Sequence, residues 1–213
     1  MSISSAFYET KVCIKDQDNS VISSGNSLKM LGFNFGNTPS VQPQLDYLIR
    51  KASKRYFLLL HYKRSGIPTD KLKDIYCAIT RSVIEYSSVV YHSQLNTGQS
   101  NELEKIQKRC LRVIYGYEHQ YQDLPTMSGL PSLEDRRTKA FQKFARNTLE
   151  NPKYSHWFPA KNQTRDTRSV AKFKEEKAIG NRLYNSPVFA MRRFLNRTET
   201  PDIPDLTGLF NNP

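Results

Sequence analysis

Two groups of cations carry the most evident chemistry in this sequence. Lys51, Lys54 and Arg55 form one, and Lys105, Lys108, Arg109 and Arg112 form the other, each recurring every three or four residues. At helical pitch that spacing gathers charge along one edge of a helix, where phosphates roughly 6–7 Å apart could be tracked. A solvated outer face has the same pattern. The excess of cations over the whole chain, and the scarcity of acidic partners one turn away, favour the phosphate reading. Arg136 and Arg137 make a third group in the first turn of a helix, where positive charge opposes the helix dipole. A salt bridge to Glu85 or Glu104 and a phosphate contact account for that pair equally well.

No catalytic arrangement accompanies these cations. His61, His92, His119 and His156 are scattered, none one helical turn from another His or a suitable Cys, and read as surface or hydrogen-bonded histidines. Neither a GxxxxGK[S/T] phosphate loop nor a GxGxxG turn is present. Asp16 and Asp18 alternate in a turn-rich loop, where aspartates ordinarily serve turns. Two-metal phosphoryl transfer needs several convergent carboxylates on a rigid sheet, and the sequence supplies no such set.

The chain has 213 residues, with 32 Lys+Arg against 20 Asp+Glu and a formal net charge of +12. A surplus of this size points to a polyanionic partner, since each phosphate neutralised releases a condensed counterion. RNA, DNA or an RNA–DNA hybrid leads among such partners. Cys13, Cys77 and Cys110 stand apart, without CxxC or a Cys/His cluster, which argues against a zinc site or a disulfide framework and fits a reducing compartment. No secretory signal and no run of about 20 apolar residues is visible, so no membrane association is expected. These features predict an intracellular protein of nucleus or cytoplasm.

The elements that must position the cations follow from the apolar period. Val12–Ile14 and Leu28–Phe35 flank a polar loop and read as two or three short strands, too small a sheet to stand alone. From Val41 the period becomes helical. Leu45, Leu48, Ile49, Ala52, Tyr56, Leu59 and Leu60 share one face. After Gly66-Ile67-Pro68, with Thr69 or Asp70 as cap, a second stripe runs through Leu72, Ile75, Tyr76, Ile79, Val83, Tyr86 and Val90. Thr97 or Ser100 is the expected cap of a third helix carrying Leu103, Ile106, Cys110, Val113 and Ile114, which Gly116 ends. Leu124–Pro131 reads as a turn-rich connection. Ser132 with Asp135 resembles a capping box opening a fourth helix through Leu133, Arg137, Ala140, Phe141, Phe144 and Thr148, which ends before Pro152. Tyr56, Tyr76 and Tyr86 lie on apolar stripes and read as core tyrosines with tethered hydroxyls. Tyr154, Trp157 and Phe158 form an aromatic cluster expected to tuck against the bundle, and a last short helix is expected around Phe189–Leu195.

The order of these motifs resembles the end of the palm and the thumb of reverse transcriptases of non-LTR, LINE-type retrotransposons. Leu31, Gly32 and Phe33 are similar to that family's "LGV" strand, and Ile49, Lys51, Ala52, Lys54 and Arg55 to its "I..KA.KR" helix. Leu72, Ile75, Tyr76, Arg81, Ser82, Val83, Ile84, Glu85 and Tyr86 resemble its next helix, with Val90-Tyr91 where Val-Trp is usual. Leu103, Glu104, Ile106, Gln107, Lys108, Arg109, Leu111, Arg112, Ile114 and Gly116 resemble "LE.IQKR.LR.I.G". Gly129, Leu130 and Ser132–Arg137 resemble "GL.SLEDRR", and Arg182, Asn185, Ser186, Pro187, Arg193, Leu195 and Asn196 the family's tail. The similarity runs from about Leu28 to Asn196.

The resemblance implies a thumb that grips a template–primer duplex by its backbone. It also implies that Mg²⁺ belongs to a catalytic palm bearing an Asp-Asp motif, and no Asp-Asp pair occurs here. The expected fold is mainly α, a thumb-like helical bundle preceded by a short β-hairpin or small sheet, with a partly disordered tail. Residues 1–38 form the end-of-palm segment, 39–151 the bundle, 152–200 a basic extension and 201–213 a disordered tail. The expected function is that of a reverse-transcriptase fragment without its catalytic palm, holding no catalytic residue, metal or cofactor and binding nucleic-acid backbone through Lys51, Lys54, Arg55, Lys105, Lys108, Arg109, Arg112, Arg136 and Arg137. The rest of the polymerase is a further candidate partner. The alternative is a non-enzymatic, basic, helical protein-interaction module.

Overall fold

The computed structural model describes residues 14–15, 21–22, 27–36, 40–120, 123–161, 172–175 and 181–198. The protein is mainly helical, with a two-stranded antiparallel hairpin ahead of a helical bundle. The hairpin pairs β3 (Ser27–Met30) with β4 (Phe33–Gly36), setting Leu28 opposite Phe35 and Met30 opposite Phe33. Leu31 and Gly32 form its turn at φ 49° and 78°. Two positive φ values in a two-residue loop match the right-handed twist of the strands, and a leucine seldom accepts the first of them. A smaller pair, β1 (Ile14–Lys15) with β2 (Val21–Ile22), precedes it.

Pro43 lies in the first turn of α1 (Gln42–Arg64), where its missing N–H costs nothing. The helix buries Leu45, Leu48, Ala52 and Leu59 and ends at Gly66, which takes φ 79°. The hairpin is tied to α1 by Gln44, whose buried Oε1 accepts from the backbone N–H and the side-chain amide of Asn34 at 2.9 and 3.0 Å.

The second stripe is not one helix. It divides into α2 (Thr69–Ile75), a π-helical turn (Tyr76–Arg81), α3 (Ser82–Glu85) and α4 (Ser88–Tyr91), with Ser87 left-handed at φ 58° between the last two. Neither Thr69 nor Asp70 caps it; Pro68 holds the N-cap position without a side-chain bond. A short 3-10 turn (His92–Gln94) then leads to α5 (Thr97–Tyr115). The α5 cap is Asn96 rather than Thr97 or Ser100, and it forms a full capping box with Gln99. Gly116 ends α5 at φ 112°.

Within the stretch read as a connection lies one short helix, α6 (Leu124–Ser128). Ser132 Oγ then caps α7 (Leu133–Glu150) by accepting from the Asp135 N–H at 3.0 Å. A 3-10 turn (Pro152–Trp157), α8 (Asn181–Tyr184) and α9 (Pro187–Thr198) follow.

Two apolar clusters hold these elements. The larger gathers Leu45, Leu48, Leu59, Leu72, Tyr76, Ile84, Leu103 and Ile114 among others. Each enclosed aliphatic side chain contributes roughly 1.5–3 kcal/mol by leaving water. Tyr76, fully buried, donates its hydroxyl to Gln107 Oε1 at 2.9 Å, and Gln107 donates to the Pro131 carbonyl at 3.2 Å. The smaller cluster joins Phe141 and Ala145 of α7 to Phe158, Phe173, Met191 and Leu195. Phe158 therefore packs where the aromatic cluster was expected to tuck. Asn196 seals this cluster by bonding the N–H and the carbonyl of Phe173 at 2.9 and 3.1 Å. The tail motif thus packs against the bundle, Ser93 Oγ donating to the Asn185 carbonyl at 2.8 Å. The expected disordered tail, the Asp16/Asp18 loop and Cys13 lie outside the described residues. Among the described helices none is long and apolar enough to cross a membrane.

Candidate nucleic-acid interface

Helices α1 and α5 pack side by side and parallel. Gln99 Nε2 donates to Gln42 Oε1 at 2.9 Å near their N-termini, and Lys63 Nζ donates to the Ile114 carbonyl at 3.0 Å near their C-termini. Between these anchors the Arg109 guanidinium stacks on the Tyr56 ring, 4.4 Å from its centroid. Tyr56 is half-buried, and its hydroxyl meets that of Tyr117 at 3.5 Å. Lys54, Lys105, Arg109 and Arg112 are exposed on the outward surfaces of this pair, Lys108 is half-buried beside them, and Arg50 and Arg64 add to the exposed set. The α5 cations therefore line that helix's outward side, joined to α1 by the Arg109–Tyr56 stack, while Lys54 borders a separate surface of α1 with Tyr47, Arg50 and Lys51.

Arg55 turns the other way. Successive residues sit about 100° apart around a helix, so Arg55 falls on the flank of α1 beneath the hairpin, Lys54 lies outside it, and Lys51 stands between them and borders both surfaces. Lys51 and Arg55 line a cleft of about 490 Å³ between the hairpin, α1, the π-helical turn and α3. Lys29 of β3 joins them. Its Nζ lies 5.2 Å from the Tyr47 ring centroid, and Lys51 Nζ lies 5.4 Å from the same centroid while donating to the Tyr47 hydroxyl at 3.2 Å. That donated hydrogen bond, reinforced by the charges of Lys29 and Lys51, holds the Tyr47 hydroxyl below its ordinary pKa. Arg55 donates to the carbonyl of Ile79 in the π-helical turn. The far wall is Tyr86, whose hydroxyl donates to the Leu31 carbonyl at 2.7 Å and pins the hairpin tip. Tyr86 is 54% exposed, against its reading as a core tyrosine.

Three cations and no carboxylate line this cleft. Sequence spacing brought out Lys51 and Arg55 but missed Lys29, Tyr47 and Tyr86. Lys29 sits alone in a strand, and only the i,i+4 relation of Tyr47 to Lys51 could have drawn attention to the tyrosine.

The third group separates. Arg136 makes a bidentate pair with Glu85, Nε to Oε1 and Nη2 to Oε2, the latter at 2.9 Å. This is the salt bridge that competed with phosphate contact in the sequence. Arg137 is 1% exposed, turned inward on the stripe of Leu133 and Phe141, so it does not present itself to a nucleic-acid backbone. Glu104 pairs with neither arginine; it accepts from the Glu134 N–H at 2.8 Å and serves the start of α7. Among the described residues no group of three or more His, Cys, Asp or Glu converges as a metal site would. Burial pushes the Cys110 thiol up to about 12, which suits a packing residue rather than a nucleophile.

Compared with protein-family models, with curated proteins and with solved structures, the chain matches none of them.

Proposed function

We propose that this chain is the thumb-side portion of a reverse transcriptase of the non-LTR class and binds a template–primer through its sugar–phosphate backbone without reading bases. The observation that carries the reading is the cleft beneath the hairpin. Lys29, Lys51 and Arg55, drawn from two elements, converge there with no opposing carboxylate. Three cations facing one cleft without a carboxylate leave their charge available to a polyanion, and phosphate contacts of this kind position a duplex rather than specify its sequence. The exposed cations of α5 provide a second track for the same backbone. The order of sequence motifs supplies the enzyme class, and the chemistry of the polymerase belongs to a palm with its own carboxylates.

The test is the affinity for a short RNA–DNA hybrid from about 50 to about 300 mM salt, read by fluorescence anisotropy. Log affinity falls linearly with log salt, and the doubly substituted K29A/K51A protein loses about 1.8 from that slope, about 0.9 for each phosphate contact removed. A slope unchanged by the double substitution, or no binding at the lowest salt, overturns the proposal.

One observation favours a second reading, a protein-interaction module. Leu28, Met30, Leu31 and Phe35 of the hairpin are exposed, Leu31 at 87%. Reversing the charges of Lys105, Lys108, Arg109 and Arg112 separates the two: hybrid retention falls under the first reading and is unchanged under the second.

A further inference from the structure

Arg137 heads the fully enclosed side chains by volume among the described residues. Its Nη2 donates to Ser100 Oγ at 2.7 Å, while Nε and Nη1 are buried without an acceptor. No carboxylate lies within ion-pair distance of it among the described residues. A buried cation left in this state is unfavourable unless an anion approaches it.

The guanidinium lines a pocket of about 190 Å³ shared with His92, Asn96, Thr97, Ser100 and Glu134. A space of this size admits several waters, or a small tetrahedral anion with part of its hydration. The N-terminus of the 19-residue α5 opens onto the same pocket. The capping box uses the N–H groups of Asn96 and Gln99. The N–H groups of Thr97 and Gly98 belong to the first turn, where no intrahelical acceptor exists, and the helix dipole adds positive potential. His92 packs on Phe141 with ring centroids 5.2 Å apart and lines the pocket, able to donate a ring N–H. Glu134 is exposed and carries the pocket's one negative charge among these residues. Its repulsion disfavours a long polyanion here and leaves the inner wall to a compact one.

The geometry points to a binding site for a single phosphate-class oxyanion at the start of α5, held by Arg137, Ser100 and the first-turn amides. The site is distinct from the basic cleft and the outer face, and it stands whether or not the chain binds nucleic acid. Arginine suits the role because its fork matches the spacing of two phosphate oxygens.

The experiment is a titration of the whole ¹⁵N-labelled chain with inorganic phosphate at fixed ionic strength, against chloride as control. Saturable shifts of the Thr97, Gly98 and Ser100 amides are expected. R137Q should weaken them at least about tenfold, equivalent to about 1.4 kcal/mol. T97P is the second variant, because proline suits the first helical position and follows the extended Asn96 without strain while removing an amide and a hydroxyl. It should weaken binding with α5 intact even if R137Q fails to fold. A nucleoside 5′-phosphate, run beside the unphosphorylated nucleoside, separates sources: binding of phosphate alone assigns a free ion, and binding of both phosphates assigns a nucleotide end. No saturation, shifts confined to exposed residues such as Lys54 and Lys105, or equal affinity in T97P and the parent overturns the site.

Discussion

Removing Arg136 should cost stability and leave nucleic-acid binding untouched, because its charge is already engaged. Its guanidinium meets Glu85 through two N–H···O contacts, with the two side chains 36% and 24% exposed. An exposed pair contributes about 0.2–1 kcal/mol, and breaking a fully buried one costs about 3–5 kcal/mol. A bidentate, partly covered pair lies between, so a coupling of about 1–2 kcal/mol is expected from a double-mutant cycle of R136A, E85A and their combination. For a chain of this length each kcal/mol moves Tm by about 2–4 °C, giving R136A a fall of about 2–8 °C. E85A should fall further. It also deprives Arg81 of a carboxylate 3.6 Å away, and the Arg81 Nη1 is already buried without a partner. Thermal and urea unfolding of the four proteins measure the coupling, and the salt dependence of hybrid binding measures the charge left for phosphate. The salt slope of R136A should equal that of the parent. A coupling below about 0.5 kcal/mol, or a slope reduced by the ~0.9 of one phosphate contact, would refute the assignment.

Two further predictions concern the hairpin and the pocket histidine. A Cβ at Gly32 would lie 3.2 Å from the Tyr86 ring and hydroxyl with φ at +78°, whereas one at Gly66 (φ +79°) would meet nothing within 4 Å. G66A should therefore cost about 1 kcal/mol of backbone strain and G32A more than that, with the Tyr86–Leu31 clamp loosened; equal costs would refute the close approach. Burial, then the charge of Arg137, lowers the His92 pKa below its unfolded value of about 6.5. The unfolded chain then takes up the proton first, so stability holds above pH ~6.5 and falls as the pH drops through that value, by at most about 1.4 kcal/mol per pH unit. H92Q should flatten this part of the unfolding profile in phosphate-free buffer, and an unchanged profile would count against the burial.

Much of the fold was legible because burial follows period. Leu45, Leu48, Ala52 and Leu59 are buried as their spacing requires, and Leu103, Ile106, Cys110 and Ile114 likewise. The Leu72–Val90 stripe misled because its apolar spacing survives both the π-helical turn and the left-handed Ser87. Periodicity reports which side is apolar and says little about which carbonyl each N–H chooses. The α5 cap had a readable signal, since Asn96 with Gln99 three residues on is a capping-box pair. Similar limits applied to the site. Lys51, Lys54 and Arg55 look like one group in sequence, yet only Lys51 and Arg55 line the cleft and Lys54 stays outside it. Arg136 and Arg137 are adjacent and differ by one step around α7, enough to put one on Glu85 and the other inside. The burial of Arg137 was foreshadowed by its place in register with Leu133 and Phe141. Lys29 could not be found, because only the docking of a hairpin brings it beside α1.

The parallel packing of α1 on α5 has a consequence during synthesis. A parallel pair cannot be closed by a tight turn, so the chain must complete its crossover before the two faces meet. From Arg64 at the end of α1 to Tyr115 at the end of α5 is 51 residues. At about 5–20 residues per second the ribosome takes about 3–10 s to deliver them. During that interval α1 can pack only on the hairpin and the segment that follows it, and the part of its face that α5 covers stays open.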